Sequence, residues 1–423
     1  MHKFNNLLYF FIIGAVFLAF ACEKAPPRFT CTDSIGCVHI PSDEPLRLGV
    51  LQSVTGEVAA LGTDQIRGIE LATAKMDGHF MGRPIVLQKE DPECSKEGGA
   101  NAALRIVADP RVVAVLGTTC SGSAATAAEV ISEAGLLMIS GNNSAPFLTS
   151  VGGKQGEKWQ AGYFRTSNNE DASGGAAATF AYKELGVRRV ATINDGDIYT
   201  RGLTDGFKKV FEELGGKIAL YGVINKGDTD MLPLLTAVRD TRAELLFFPL
   251  FQSEGNQVVL QAKKVSGMEQ VILMSGGALI LSTFIEAVGE KSKGMYFVGP
   301  APGEGPASEA LAAEYEAKYK VRPLTSYYQN AYDAACLLFK ALEKTAIQDA
   351  DGTLHIGRQA LRDALYGIRD FKGVAGRLSC DRFGDCAFPR FNILRLDDPS
   401  AGLSGLQSNV MYTHTPGRSA EEE

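Results

Sequence analysis

The chain has 423 residues, 45% of them hydrophobic, which is ample for two core-forming lobes and too much for one simple domain. A formal net charge of -7 gives no broad electrostatic attraction to nucleic acid, so no nucleic-acid partner is expected.

Lys3 precedes an apolar stretch over 7–20, too short for a comfortable membrane span but suited to the core of a signal peptide. It ends in Ala19-Phe20-Ala21-Cys22, which resembles the lipobox of bacterial lipoproteins. In such boxes cleavage before the cysteine leaves it as the lipidated first residue, here Cys22, although Ala19 stands where leucine is usual. Acyl chains would hold the protein at a membrane, each buried methylene contributing about 0.8 kcal/mol. The expected order is therefore signal peptide over 1–21, then anchor and tether over 22–45, with Pro26-Pro27 and no periodic apolar pattern in the tether.

From there strands and helices alternate. Strands are predicted over 46–54, 84–89, 112–116 and 136–140, and helices over 64–76, 95–108 and 121–134. Such a βαβα run builds a parallel sheet with helices on both faces. The pattern restarts with a helix over 172–185 and a strand over 189–194. The next helix places Leu203, Phe207, Val210, Phe211 and Leu214 at helical spacing until Gly215-Gly216 stops it, and further strands fall at 217–223, 244–250 and 270–274. The fold class is α/β, two doubly wound parallel-sheet lobes.

Two loops at strand ends stand out, Thr118-Thr119-Cys120-Ser121-Gly122-Ser123 and Ser140-Gly141-Asn142-Asn143-Ser144-Ala145-Pro146. Small residues and hydroxyls there let a ligand touch backbone N–H groups, and a helix starting at Ser121 adds partial positive charge, which suits a carboxylate. Ligands of open α/β sheets bind beyond the carboxyl ends of the strands, so the loops after Leu116, Met138, Asn194, Leu250 and Met274 are expected to face a shared cleft.

Of eight cysteines, Cys22 is set aside as the lipidation site. The spacing of the rest suggests close pairs, Cys31 with Cys37, Cys94 with Cys120 and Cys380 with Cys386, among the many connectivities that six cysteines allow. Cys336, in an amphipathic helical run, reads as a small buried core residue. The five histidines are scattered singly, without HExxH or paired CxxC. The string over 380–386 reads as a disulfide-closed hairpin rather than a calcium loop. Neither metal nor cofactor is expected.

From Leu46 to about Leu394 the chain resembles the leucine/isoleucine/valine-binding proteins that serve amino-acid ABC transporters, type I periplasmic binding proteins. The strings that carry the resemblance begin with Leu48-Gly49-Val50, Thr55-Gly56, Gly62, Arg67-Gly68-Ile69-Glu70-Leu71-Ala72 and Glu90-Asp91-Pro92. Cys120-Ser121, Ser144-Ala145-Pro146, Phe164-Arg165-Thr166 and Asp195 with Tyr199 and Gly202-Leu203 follow. Tyr332-Asp333-Ala334, Gly373 with Gly376-Arg377-Leu378 and Gly384-Asp385 complete the order.

The resemblance implies a disulfide between Cys94 and Cys120, worth roughly 3 kcal/mol in the chain-entropy model. It also implies a ligand site in which Ser121 donates to a carboxylate, the backbone at Asn142 and the hydroxyl and N–H of Ser144 complete the polar shell, and Tyr199 closes from the second lobe. Phe251 falls where the family often has tyrosine, and Cys120 and Asn143 belong to the same loops. Two departures matter. Gly277 stands where leucine-type members carry the glutamate that pairs with the ligand ammonium, and Leu61 stands where they offer an aromatic. Glu254, Asp195 and Asp197 are candidate replacements for that acid. An unreplaced acid would favour a carboxylate or amide ligand, since a buried ammonium without a partner costs roughly 1.5 to 3 kcal/mol.

An enzyme is disfavoured. No Lys-Ser or Lys-Thr follows the glycine-containing loop, no GxSxG elbow occurs, and no histidine lies in the strand-end loops. The resemblance implies a monomeric extracytoplasmic lipoprotein that captures an amino acid or related carboxylate by lobe closure and delivers it to an ABC permease. A ligand-binding sensor is the alternative. The lobes are expected over 46–168 plus 300–390 and 169–299 plus 391–412, with crossings near 166–171, 300–303 and 390–392, and a disordered tail over 413–423.

Overall fold

The computed structural model describes residues 29–415. The signal segment, Cys22 and the last eight residues lie outside the described residues. Two sheets organise the molecule. The first has six strands in the order His79–Phe80, Arg83–Glu90, Leu46–Leu51, Val112–Gly117, Met138–Ser140 and Tyr163–Arg165. It is parallel except for its first short strand. The second runs Lys217–Val223, Arg189–Asn194, Leu245–Phe247, Ile272–Gly276, Tyr296–Pro300, Phe391–Arg395 and Val410–His414.

Five strands of the second sheet are parallel and its last two are antiparallel, which corrects the all-parallel expectation. The cause is the hinge. The chain leaves this sheet at Pro300 and re-enters at Phe391, which pairs with Pro300, so the returning strand must run the opposite way. The helix Gly402–Ser408 then turns it back into Val410–His414, and Thr413 and His414, assigned to the tail by sequence, are paired in that strand.

The tether needs a similar correction. Cys37–Ile40 pairs with Leu354–Gly357, itself beside Ala346–Gln348, in a small third sheet. Val38 and Ile40 are buried while His39 points out, a period-two pattern confined to four residues.

The helix Ala59–Lys75 begins ahead of its predicted start. Gly62 lies within the helix, where only glycine fits, because a Cβ there would stand 1.9 Å from the Ser53 carbonyl oxygen of the loop packed on it. The helix Lys96–Val107 starts as predicted, with Ser95 Oγ accepting from the Gly98 N–H at 2.9 Å. In the second lobe the predicted helical stripe buries Leu203, Phe207 and Phe211, and Phe207 stacks on Phe211 and on Phe247 of the sheet. Each such ring contributes roughly 1.5 to 3 kcal/mol on full burial.

All three disulfides join the predicted pairs, Cys31–Cys37, Cys94–Cys120 and Cys380–Cys386. Cys336 is unpaired within the helix Tyr327–Thr345, and burial pushes its thiol up to about 12, which leaves it a poor nucleophile. The 380–386 hairpin closes through Asp381 N–H donating to the Asp385 carbonyl at 2.8 Å, and it carries the Asp385 carboxylate to the fully buried guanidinium of Arg165.

Candidate functional site

The cleft between the sheets holds a cavity of about 330 Å³. Its first wall is built beyond the carboxyl ends of Val112–Gly117 and Met138–Ser140, where Thr119, Cys120, Ser121, Asn142 and Ser144 line it, with Leu61 from the first helix. Tyr199, Phe251 and Ala278 approach from the loops after three strands of the second lobe, and Tyr327 closes the hinge side. The strand-end loops singled out by sequence therefore do meet around one space.

Local hydrogen bonding explains how the loops hold their shape. Cys120 is the N-cap of the helix Ser121–Glu133 and is tied to Cys94, so the helix start is braced from the loop after Arg83–Glu90, two strands away in the sheet. Ser121 Oγ accepts from the Ala145 N–H at 3.2 Å, which leaves its own O–H to donate. Thr119 Oγ1 accepts from the Ser53 N–H at 2.9 Å and donates to Gln52 Oε1 at 2.8 Å. The Asn142 N–H is committed to Ser140 Oγ at 3.1 Å, and its side-chain Nδ2 donates to the Thr119 carbonyl at 2.7 Å.

Five sequence candidates do not line this cavity, among them Gly277, which lines a second space beside it. Asn143 turns beneath the loop, where Oδ1 accepts from the Thr118 N–H at 3.1 Å and the Tyr163 hydroxyl at 3.2 Å, so it braces the site rather than touching a ligand. Glu254 lies on the helix Gln252–Ala262 and accepts from the Gly227 N–H at 2.7 Å, which holds it away from the pocket. Asp197 caps the helix Ile198–Glu213 through the Tyr199 N–H and pairs with Lys226 at 3.3 Å. Asp195 accepts from the Asp197 N–H and the Thr200 hydroxyl.

The acid nearest the chemistry is one that the sequence reading passed over. Glu170, in the segment that crosses between the sheets, is only 1% exposed, and its Oε2 has no hydrogen-bond partner among the described residues. Burial pushes its carboxyl up to about 8, against the pull of a Ser144 hydrogen bond and the Arg165 charge. Its charge in turn raises the hydroxyls of Tyr199 and Tyr327, already raised by burial. Thus Glu170 does not itself line the cavity but couples electrostatically to three residues that do, Ser144, Tyr199 and Tyr327. In sequence Glu170 is one polar residue in Asn168-Asn169-Glu170-Asp171 and only tertiary burial distinguishes it.

The lobes touch across the cleft. Glu57 Oε2 accepts from the Ser253 N–H at 2.6 Å, at the start of the helix Gln252–Ala262, and Arg201 pairs with Glu157 at 2.7 Å. Gly122 permits the approach of Asp197, since a Cβ there would stand 2.5 Å from Asp197 Oδ2.

Two α/β lobes that meet around a cavity lined by the hydroxyls of Ser121, Ser144 and Tyr199 have the form of a solute-binding protein. The chain belongs to the periplasmic binding protein family, whose model matches residues 45–385. A Leu/Ile/Val-binding protein homolog of Brucella melitensis is 28% identical over 358 residues, 84% of this chain and 92% of that protein. A solved leucine binding protein from Thermotoga maritima superposes with a TM-score of 0.72 at 24% identity, covering 84% of this chain and 96% of the other. A solute binding protein from R. palustris in complex with benzoate gives 0.73 at 20% identity, covering 89% and 98%. The fold is that of type I periplasmic binding proteins, a family whose members are extracytoplasmic.

Proposed function

We propose that the protein is a lipid-anchored binding protein that captures an α-amino acid and hands it to an ABC permease. The observation that carries this reading is a pair of opposite preferences, hydroxyls that line the cavity and a buried acid hydrogen-bonded to one of them, Ser144. Ser121 and Ser144 at a helix start suit the carboxylate, and the buried Glu170 carboxylate suits the ammonium that Gly277 leaves without a partner. Glu170 thus takes the place of the acid sought at Glu254, Asp195 and Asp197. Tyr199 and Phe251, with ring centroids 5.5 Å apart, cover the ligand from the second lobe. The name of the Brucella relative agrees with an amino-acid ligand, and the benzoate complex marks simple carboxylates as the competing class.

Lobe closure buries the ligand, and the closed form is the one delivered. Lipidation at Cys22 places the protein at a membrane surface, and the monomer is the acting unit. A thermal-shift screen against amino acids, their amides and small carboxylates tests the reading, because a ligand of the native state at a hundredfold excess stabilises it by about 2.7 kcal/mol. Stabilisation by free amino acids is expected. Stabilisation only by carboxylates without an amine would overturn the role of Glu170.

A further inference from the structure

A second cavity, of about 490 Å³, lies on the hinge side of the first and shares Tyr327 with it. Gly277 and Pro300 line it, and the neighbouring Ala278 lines the first cavity, so residues 277 and 327 form the partition between the two. The glycine at 277 is not explained by backbone geometry. Its φ lies outside the left-handed region, and a Cβ there would meet only ordinary contacts, 3.4 Å to Tyr327 Oη and 3.5 Å to Pro300 Cδ. Gly62 and Gly68 contrast with it, because a Cβ at either would stand 1.9 or 2.2 Å from a backbone oxygen. A side chain at 277 would fit and would thicken the wall toward Tyr327. What the glycine provides is space.

The second cavity is largely apolar, with Ile280, Pro302 and Leu394 among its walls, and no charged side chain lines it. Its buried polar side chains, Thr325 and Asn392, are neutral, and Asn392 Oδ1 accepts from Thr413 Oγ1 at 2.9 Å. A charged end group is therefore excluded by the cost of burying it without a partner, while an apolar chain or one ending in a neutral acceptor is accommodated.

We propose that the ligand is an α-amino acid with an elongated, uncharged side chain that passes between Gly277 and Tyr327 into the hinge-side cavity. This rests on the amino-acid reading above and specifies the side chain that reading leaves open. The polar end is held in the first cavity, and displacement of the Tyr327 ring joins the two spaces. Leucine fills the first cavity alone.

Isothermal titration of the purified full chain with L-leucine, L-norleucine, L-α-aminooctanoic acid and Nε-acetyl-L-lysine tests the proposal. Binding is expected to tighten about fourfold per added methylene. Ile280→Phe, which narrows the second cavity at a residue that does not line the first, is expected to abolish the gain of the long ligands and leave leucine affinity unchanged, and that retained leucine binding shows that the variant is folded. Leucine binding more tightly than both long ligands, or long-ligand affinity indifferent to Ile280→Phe, would overturn the extended pocket while the amino-acid reading stands. Failure of every α-amino acid to bind, with benzoate binding instead, would overturn both.

Discussion

At Glu170 the chain keeps a carboxyl group 1% exposed, with a value raised by burial from 4.5 to about 8. The folded chain therefore retains a proton that the unfolded chain releases, and the stability of the empty protein falls as pH rises through the window from 4.5 to about 8. An ammonium ligand needs the ionised form, so uptake expels a proton below that upper value and affinity rises with pH toward it. Calorimetry in buffers of different ionisation enthalpy should detect the released proton. Glu170→Gln should flatten the pH slope and weaken amino-acid binding by about ten- to a hundredfold. Unchanged affinity in that variant would remove Glu170 from the site.

Among the elements, the disulfide hairpin over 380–386 is the one whose importance exceeds its size. Asp385 is the counter-ion of Arg165, which is fully buried at the end of the strand Tyr163–Arg165 and also donates to the Ala145 carbonyl at 2.8 Å. Asp385 also accepts from Thr149 Oγ1 at 2.9 Å and from Asn169 Nδ2 at 2.8 Å, one residue before Glu170. The hairpin thus fixes both a binding loop and the first crossing between the sheets. Asp385→Ala should cost about 3 to 5 kcal/mol, the penalty for stranding a buried charge, measured as a lowered urea midpoint. The Cys94–Cys120 bridge acts similarly on the helix start at Ser121. Its reduction should lower the melting temperature and weaken ligand binding together, because the same loop carries both.

For the whole molecule, function depends on how the two lobes meet. The Glu57 carboxylate at the N-terminal end of Gln252–Ala262 and the Arg201–Glu157 pair cross the cleft, and each favours the closed form. Glu57→Ala should shift the population toward open molecules. Small-angle scattering of the unliganded variant should then show a larger radius of gyration, with contraction restored by saturating ligand. Equal radii for the variant with and without ligand would contradict closure.

Periodicity and turn residues in the sequence were enough to establish the α/β class, the alternation of strands and helices and the loops that supply Ser121 and Ser144, and cysteine spacing suggested the three disulfide pairs that the fold then formed. These are local signals, since side-chain period, caps and short cysteine spacings act within a few residues. The antiparallel end of the second sheet, the strand at Cys37–Ile40 and the helical position of Gly62 arise from distant segments packing together, and no local pattern encodes them. The same holds at the site. Glu254, Asp195 and Asp197 occupy plausible loops but are held by Gly227, Thr200 and Tyr199, whereas Glu170 becomes the relevant acid only because folding removes it from water beside Ser144, Tyr199 and Tyr327. Residue type and spacing determine which groups are available, and burial by the tertiary structure decides which carboxylate is coupled to the residues that line the cavity.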